Sequence, residues 1–415
     1  MISSSPRNLE KQFKFADGPL AEYAQQFKGH METQQYSKAT IYQYHCTIDA
    51  FFQILKEGNT DIRSIDESQV GKLIASSNRA RLVKYDVTVV QTFIRFLSGL
   101  GVTKPLPPQP LDESTQGILR REFEEYLRNQ RGLSKRTVKQ SWWLIAHFLK
   151  FCFGEEKPDV SRITASDILK FLQQKISRPG PLRDRTSPSN LKNFLLFLFK
   201  TNRTVKNLAL TVPTVAHNFG TRLPRHLTIE QVDAVLAALR EDTRLGRRNY
   251  AMILLLARLG LRSEEVIAIQ IDDIDWRAGE ILVRGKGKRH DRLPLPKDVG
   301  EAVAEYVRQD RQTSTRSLFV TDRAPRVAIA YGTVLNTILK KALAKTGLTP
   351  PMRWVGTHVL RHSLAVSLTQ KGASLEEIAD MLRHRSRNTT MMYARLDVEG
   401  MRSIAQPWPA IKGSK

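Results

Sequence analysis

The feature that most constrains this chain is a duplication in its first half. YSKAT at Tyr36–Thr40 returns as LSKRT at Leu133–Thr137, and Phe51 falls on Phe148. The turn at Ser64–Val70 falls on Arg162–Ile168, and TFIRFL at Thr92–Leu97 returns as NFLLFL at Asn193–Leu198. Four blocks repeated in order mean one supersecondary unit built twice. In the first copy Phe27 and Met31 share a helix face, and Ser37 stands as N-cap before Ile41, Tyr44, Ile48, Phe51, Phe52 and Leu55. Gly58 and Asn59 break that helix. A short capped helix is expected from near Asp66, then one carrying Val89, Phe93, Phe96 and Leu97.

The proline run PLPPQP at 105–110 cannot continue a helix and marks a linker. The expected organisation is a polar, flexible N-terminus over 1–16, a helical domain over 17–104, a linker over 105–112 and a second helical domain over 113–204. An interdomain linker with Pro213 covers 205–223, and a larger domain covers 224–400, ahead of a tail over 401–415. Thr228 with Gln231 forms a capping box at the start of that larger domain.

Charge narrows the partners. The formal net charge is +24, with 41% hydrophobic and 26% charged residues, which describes a globular protein drawn to polyanions. Nucleic acid fits that balance better than an anionic membrane, since the apolar run MILLLA at 252–257 is stopped by Arg258 and is too short to span a bilayer. The N-terminal MISSSPRNLEKQFKF has no apolar core of signal-peptide length, so a cytoplasmic location is expected. Cys46 and Cys152 lack the paired spacing of a zinc site and are expected to be buried small hydrophobes rather than a disulfide.

The residues suited to chemistry gather towards the C-terminus. Residues 357–395 read THVLRHSLAVSLTQKGASLEEIADMLRHRSRNTTMMYAR, and they place His358, Arg361, His362, His384 and Tyr393 within a few turns. Upstream, the apolar helix YAMILLLARLG ends at Gly260 and puts Arg262 at the start of the next helix, where backbone N–H groups favour an anion. Glu265 follows three residues later. Residues 280–284 and 291–295 alternate like the strands of a hairpin, and the GKGK between them carries Lys286, with Lys288 as its rival. His358 and His362 are spaced like zinc-protease ligands, but Val359 stands where a general-base Glu is required and there is no evident third ligand. No metal and no cofactor are therefore expected, and His362 reads as a packing or structural residue.

This set resembles the active site of the tyrosine recombinases, the phage integrase family. GLRSEEVIAI is similar to that family's first arginine motif, HVLRH to its His-x-x-Arg, and LRHRSRNTTMMY to its Leu-Gly-His followed by Thr-Thr and tyrosine, with Arg383 in place of the glycine. The resemblance implies a mainly α fold with a small β-sheet in the catalytic domain (α+β) and helical N-terminal domains that form a clamp around DNA. It assigns Tyr393 as nucleophile, Arg262, Arg361, His358 and His384 to the phosphate, Lys286 as general acid, and Glu265 as support for Arg262.

Each helical repeat resembles the family's core-binding domain, whose helix opens with Ser-x-x-Thr; one copy is usual, so the first is an extra module. Lys38, Lys135, Arg136, Lys139 and Lys192 are the expected DNA-contacting cations, with Arg63, Arg79, Arg81 and Lys84 supplementing the first copy. The implied partners are double-stranded DNA with paired recombination sites, a homotetramer, and accessory recombinases or directionality factors; the implied setting is a bacterial nucleoid. The tail LDVEGMRSIAQPWPAI either docks on a neighbouring subunit or packs within its own. Two other functions share the pattern: a type IB topoisomerase-like relaxing enzyme, and a DNA-binding protein that has lost catalysis.

Overall fold

In the computed structural model of the chain, the described residues are 21–76, 84–107, 110–176, 187–213, 225–285, 289–348, 356–384 and 387–394. The chain divides into two compact units. One is Pro107–Asn218; the other joins Met1–Leu106 with Phe219–Lys415.

The first repeat consists of α1 (Ala21–Thr33), α2 (Lys38–Glu57), α3 (Val70–Ser76) and α4 (Lys84–Gly99). The second consists of α5 (Thr115–Asn129), α6 (Lys135–Phe153), α7 (Ala165–Ile176) and α8 (Ser187–Lys200). The duplication extends to side-chain detail. Ser37 and Ser134 both cap the second helix of their repeat, accepting from the backbone N–H groups of Thr40 and Thr137. A single 3₁₀ turn follows in each, opened by Asp61 or Asp159. Each core is keyed by the same aromatic trio. Phe27 meets Phe93 and Phe96 at ring-centroid distances of 5.2 Å each, and Phe123 meets Phe194 and Phe197 at 5.1 and 5.3 Å.

Two sequence readings in this half need correction. Cys46 is exposed and Cys152 half-buried, both as free thiols, so only the second behaves as an interior residue. The cause is helical phase: Ile41, His45, Ile48 and Leu55 of α2 face the core, and residue 46 lies about 100° round the helix from His45. His45, not Tyr44, is the fully buried member of that turn. Asp66 caps the turn that leads into α3, with its carboxylate accepting from Ser68 and Gln69, but α3 itself starts four residues later than expected.

The C-terminal part is built around α10 (Arg244–Leu259), flanked by α9 (Ile229–Leu239). Met252 to Leu256 of α10 are all at most 1% exposed, so this stretch of the helix is buried on every side and forms the centre of the largest core. Thr228 and Gln231 make the expected capping box before α9. After α10 come α11 (Ser263–Ala268) and an antiparallel sheet of β1 (Ile274–Asp275), β2 (Glu280–Gly285) and β3 (Arg289–Pro294), in the order β1-β2-β3. Ile281 pairs with Leu293, Val283 with Asp291 and Gly285 with Arg289. The hairpin is as expected, and the short β1 is an addition to it.

The remaining helices are α12 (Lys297–Gln309), α13 (Thr333–Lys345), α14 (His358–Gln370), α15 (Leu375–Met381) and α16 (Arg387–Ala394). Ala365 and Val366 of α14 pack with Ile378, Leu382 and Tyr393 in a small separate core. Among the described residues no helix is long and apolar enough to cross a membrane. The fold is mainly helical with one small sheet in the C-terminal part.

Candidate active site

The end of α10 sets the frame. Gly260 has φ +58, in the left-handed region that glycine enters without steric cost. A Cβ there would lie 2.6 Å from Leu382 Cδ2 and 3.1 Å from Leu364 Cδ2, so the absence of a side chain lets α14 and the end of α15 close on this turn. Two residues later Arg262 is the N-cap of α11. Glu265, 4% exposed, accepts from the Arg262 backbone N–H at 2.9 Å and from its Nη1 at 2.7 Å. Burial would raise the Glu265 pKa, but the Arg262 backbone N–H and the Arg383 and Arg262 guanidiniums outweigh it and hold the carboxyl below its ordinary value.

Arg361 comes from the first turn of α14. Its Nη1 donates to the carbonyl of Gly260 and its Nη2 to the carbonyl of Leu382, which fixes the guanidinium between two chain segments. It is 4% exposed, and burial together with the Arg262 and Arg383 charges pulls its pKa down to about 10. The start of α14 is anchored by the Thr357 N–H on Asn336 Oδ1 at 2.9 Å, and by Thr357 Oγ1 at 2.6 Å from Ser263 Oγ beside Arg262. His358 follows, still exposed. Partial withdrawal from water, then Arg361 and Arg262, depress its pKa, so its imidazole is neutral at physiological pH.

Tyr393 is 1% exposed, with its hydroxyl 2.7 Å from His362 Nδ1. His384 lies parallel to it, with ring centroids 6.3 Å apart and planes 5° off, and shares a 2.8 Å hydrogen bond with Thr390 Oγ1. Burial pushes the Tyr393 pKa up to about 12, with Arg361 opposing that rise. It brings His362 and His384 down to about 4, helped for both by Arg361. The phenol is thus held neutral beside neutral imidazoles and permanently charged guanidiniums.

Arg262, Glu265, His358, Arg361, His384 and Tyr393 are therefore brought to one place. Lys286 and its rival Lys288 lie outside the described residues, although β2 and β3 that flank them are defined. Lys38, Lys135, Arg136, Lys139 and Lys192 are all exposed on their helices. Two neighbours of the site escaped the sequence reading of roles. His362 touches Tyr393 directly instead of only packing; its spacing of four from His358 was the signal. Arg383 bonds to Glu265 Oε2 at 2.6 Å, and its signal was the missing glycine.

Comparison with known proteins identifies the family. Residues 225–399 match the sequence profile of the phage integrase family. The integrase/recombinase y4rA of Sinorhizobium fredii is 40% identical over 288 residues, covering 69% of this chain and 70% of that one. The chain belongs to the phage integrase family. Tyrosine recombinase XerC of Listeria innocua is 27% identical over 69% of this chain and 96% of its own. Among solved structures, XerH site-specific recombinase in a post-cleavage complex with palindromic difH substrate aligns with TM-score 0.52 and 19% identity. That alignment covers 71% of this chain and 97% of XerH. A lambda integrase dimer bound to a core site aligns at TM-score 0.50 and 15% identity, covering 66% and 96%. These likenesses are of fold. As a phage integrase family member, the chain is a tyrosine-type site-specific DNA recombinase, and DNA is its partner.

Proposed function

We propose that this recombinase is the integrase or transposase of a mobile element, and that Tyr393 cuts DNA through a 3′-phosphotyrosyl intermediate. The observation that carries the proposal is the Tyr393 hydroxyl, buried and bonded to His362 in the pocket that also holds the Arg361 guanidinium and His384. In-line attack on a phosphodiester adds negative charge to the nonbridging oxygens, and the planar, permanently charged side chains of Arg262 and Arg361 can clamp those oxygens by paired donors. Tyr393 Oη forms the bond to phosphorus and gives its proton to a neutral imidazole, with His358 as acceptor. The bond from phosphorus to the 5′ oxygen breaks, and Lys286 protonates that oxygen to leave a free 5′-hydroxyl. A 5′-hydroxyl from a second duplex reverses the steps and reseals the strand, so the bond energy is conserved and no cofactor or ATP is consumed.

The helical repeats support a DNA grip. Lys38 in one copy and Lys135 and Arg136 in the other occupy the first turn of their helices, the positive end of the macrodipole, where a cation is unfavourable by roughly 0.3–1 kcal/mol. A phosphate there offsets that cost. The first repeat then lengthens the footprint beyond the core site, in a tetramer on paired sites assisted by accessory recombinases or directionality factors. Names of relatives such as integrase/recombinase y4rA favour the mobile-element reading over a relaxing enzyme. The test is incubation of the full chain, in EDTA, with nicked duplexes from flanking genomic DNA. A denaturation-resistant adduct that joins two duplexes when a second is supplied supports the proposal. Supercoil relaxation without joining contradicts it.

A further inference from the structure

Arg383 occupies a backbone position that suits glycine. The Arg383 N–H donates to the Asp380 carbonyl and the His384 N–H to the Ala379 carbonyl, the paired bonds that end a helix through a left-handed residue. Arg383 is that residue, with φ +54. A glycine would take this conformation without strain.

The side chain accepts a second cost. It is 9% exposed, and its Nη1 is buried with no hydrogen-bond partner among the described residues. Surface solubility and helix capping explain neither feature, since a glycine would end α15 better. What the side chain does gain is specific. Nη2 lies 2.6 Å from Glu265 Oε2, the same oxygen that accepts the Arg262 backbone N–H. Nε lies 3.7 Å from Asp291 Oδ2 on β3, the strand paired with β2. Glu265 Oε1 is thereby left to the Arg262 Nη1.

We infer that Arg383 is a positioning residue, which acts through Glu265 to fix the Arg262 guanidinium and ties that arginine to the β3 hairpin. The inference rests on the proposed phosphotyrosyl chemistry. Two guanidiniums on one buried carboxylate, with Arg361 alongside, also leave an excess of positive charge that a phosphodiester satisfies. Removal of Arg383 frees Oε2 and lets Glu265 rotate and take more of the Arg262 fork. Fewer Arg262 donors then face the phosphate, with little change in groove contacts to DNA. The loss should appear in the chemical step and not in binding.

The experiment measures single-turnover adduct formation on nicked DNA at saturating concentration, DNA affinity and thermal unfolding, for wild type, Arg383→Gly and Arg383→Lys. The expected result is a cleavage rate at least about tenfold lower in Arg383→Gly. DNA affinity should stay within about threefold and unfolding should remain cooperative at an undiminished temperature, because glycine relieves the backbone. Lysine, which can reach Glu265 but has no fork to share with Asp291, should restore part of the rate. A glycine variant that cleaves within about twofold of wild type overturns the inference and leaves the chemistry intact. A parallel fall in rate, affinity and melting temperature overturns it in favour of a structural role. Absence of any wild-type adduct overturns the phosphotyrosyl reading, and this role with it.

Discussion

The Tyr393 hydroxyl sits 2.7 Å from Nδ1 of His362, a residue 31 positions earlier on a different helix. With His362 down at about 4 and Tyr393 up at about 12, a neutral phenol and a neutral imidazole share this bond. The Tyr393 side chain is thus a buried phenol held by one hydrogen bond. Replacing His362 with Leu removes the hydrogen-bond partner and leaves a buried hydroxyl unpaired, at a cost of about 1–3 kcal/mol. Chemical denaturation should show that loss, and His362→Gln should recover part of it.

The turn at Gly260 should be intolerant of any side chain. An alanine there meets Leu382 Cδ2 at 2.6 Å and must hold φ +58. Left-handed strain and overpacking together predict a loss of about 2–4 kcal/mol. Because Arg361 bonds to the Gly260 carbonyl, cleavage should fall further than stability explains. Comparing adduct yield per folded molecule separates the two.

Acid should destabilise the fold ahead of carboxylate titration. Burial, aided by Lys28, brings His45 down to about 4, and His362 and His384 lie at the same level. A histidine whose folded pKa is lowered below about 6.5 binds its proton more readily when unfolded. Stability is therefore fully present above about pH 6.5 and is lost as pH falls towards 4. Denaturation midpoints across that window should drop steeply for wild type and less steeply for His45→Gln. An unchanged slope in that variant would contradict the assignment of His45.

The exposed cations of α6 should carry salt dependence and nothing of the fold. Changing Lys135, Arg136 and Lys139 to Gln should flatten the plot of log affinity against log salt by about three units, roughly one per phosphate contact. The temperature of thermal unfolding should not fall, because Lys135 and Arg136 sit at the end of the macrodipole that disfavours a cation. A full slope in the triple variant would place the phosphate contacts elsewhere.

How much of this was legible in the sequence depends on the range of each interaction. Ser37, Ser134, Thr228 and Gln231 act within three residues of themselves, so their caps could be read directly. Two members of each aromatic trio, Phe93 with Phe96 and Phe194 with Phe197, were readable as repeated letters, while the match of Phe123 to Phe27 emerged only from the packing. The set from Arg262 to Tyr393 was readable because each member sits in a short motif. The His362–Tyr393 bond and the Arg383–Glu265 pair span 31 and 118 residues, and periodicity carries no information at that range. Cys46 failed for the opposite reason. Its phase on α2 was available, but a small apolar residue in an aromatic-rich run was assigned by its surroundings instead of by its angle.

Attack of Tyr393 on DNA is the step on which the proposed function rests. The most direct test denatures the full chain after incubation with nicked duplex in EDTA, and maps the DNA end left on protein for wild type and Tyr393→Phe. The expected result is a 3′-linked adduct on a peptide containing Tyr393 in wild type, a free 5′-hydroxyl on the other strand end, and no adduct in the phenylalanine variant despite unchanged DNA binding. An adduct of equal yield in Tyr393→Phe, or one joined through a 5′ phosphate, would contradict it.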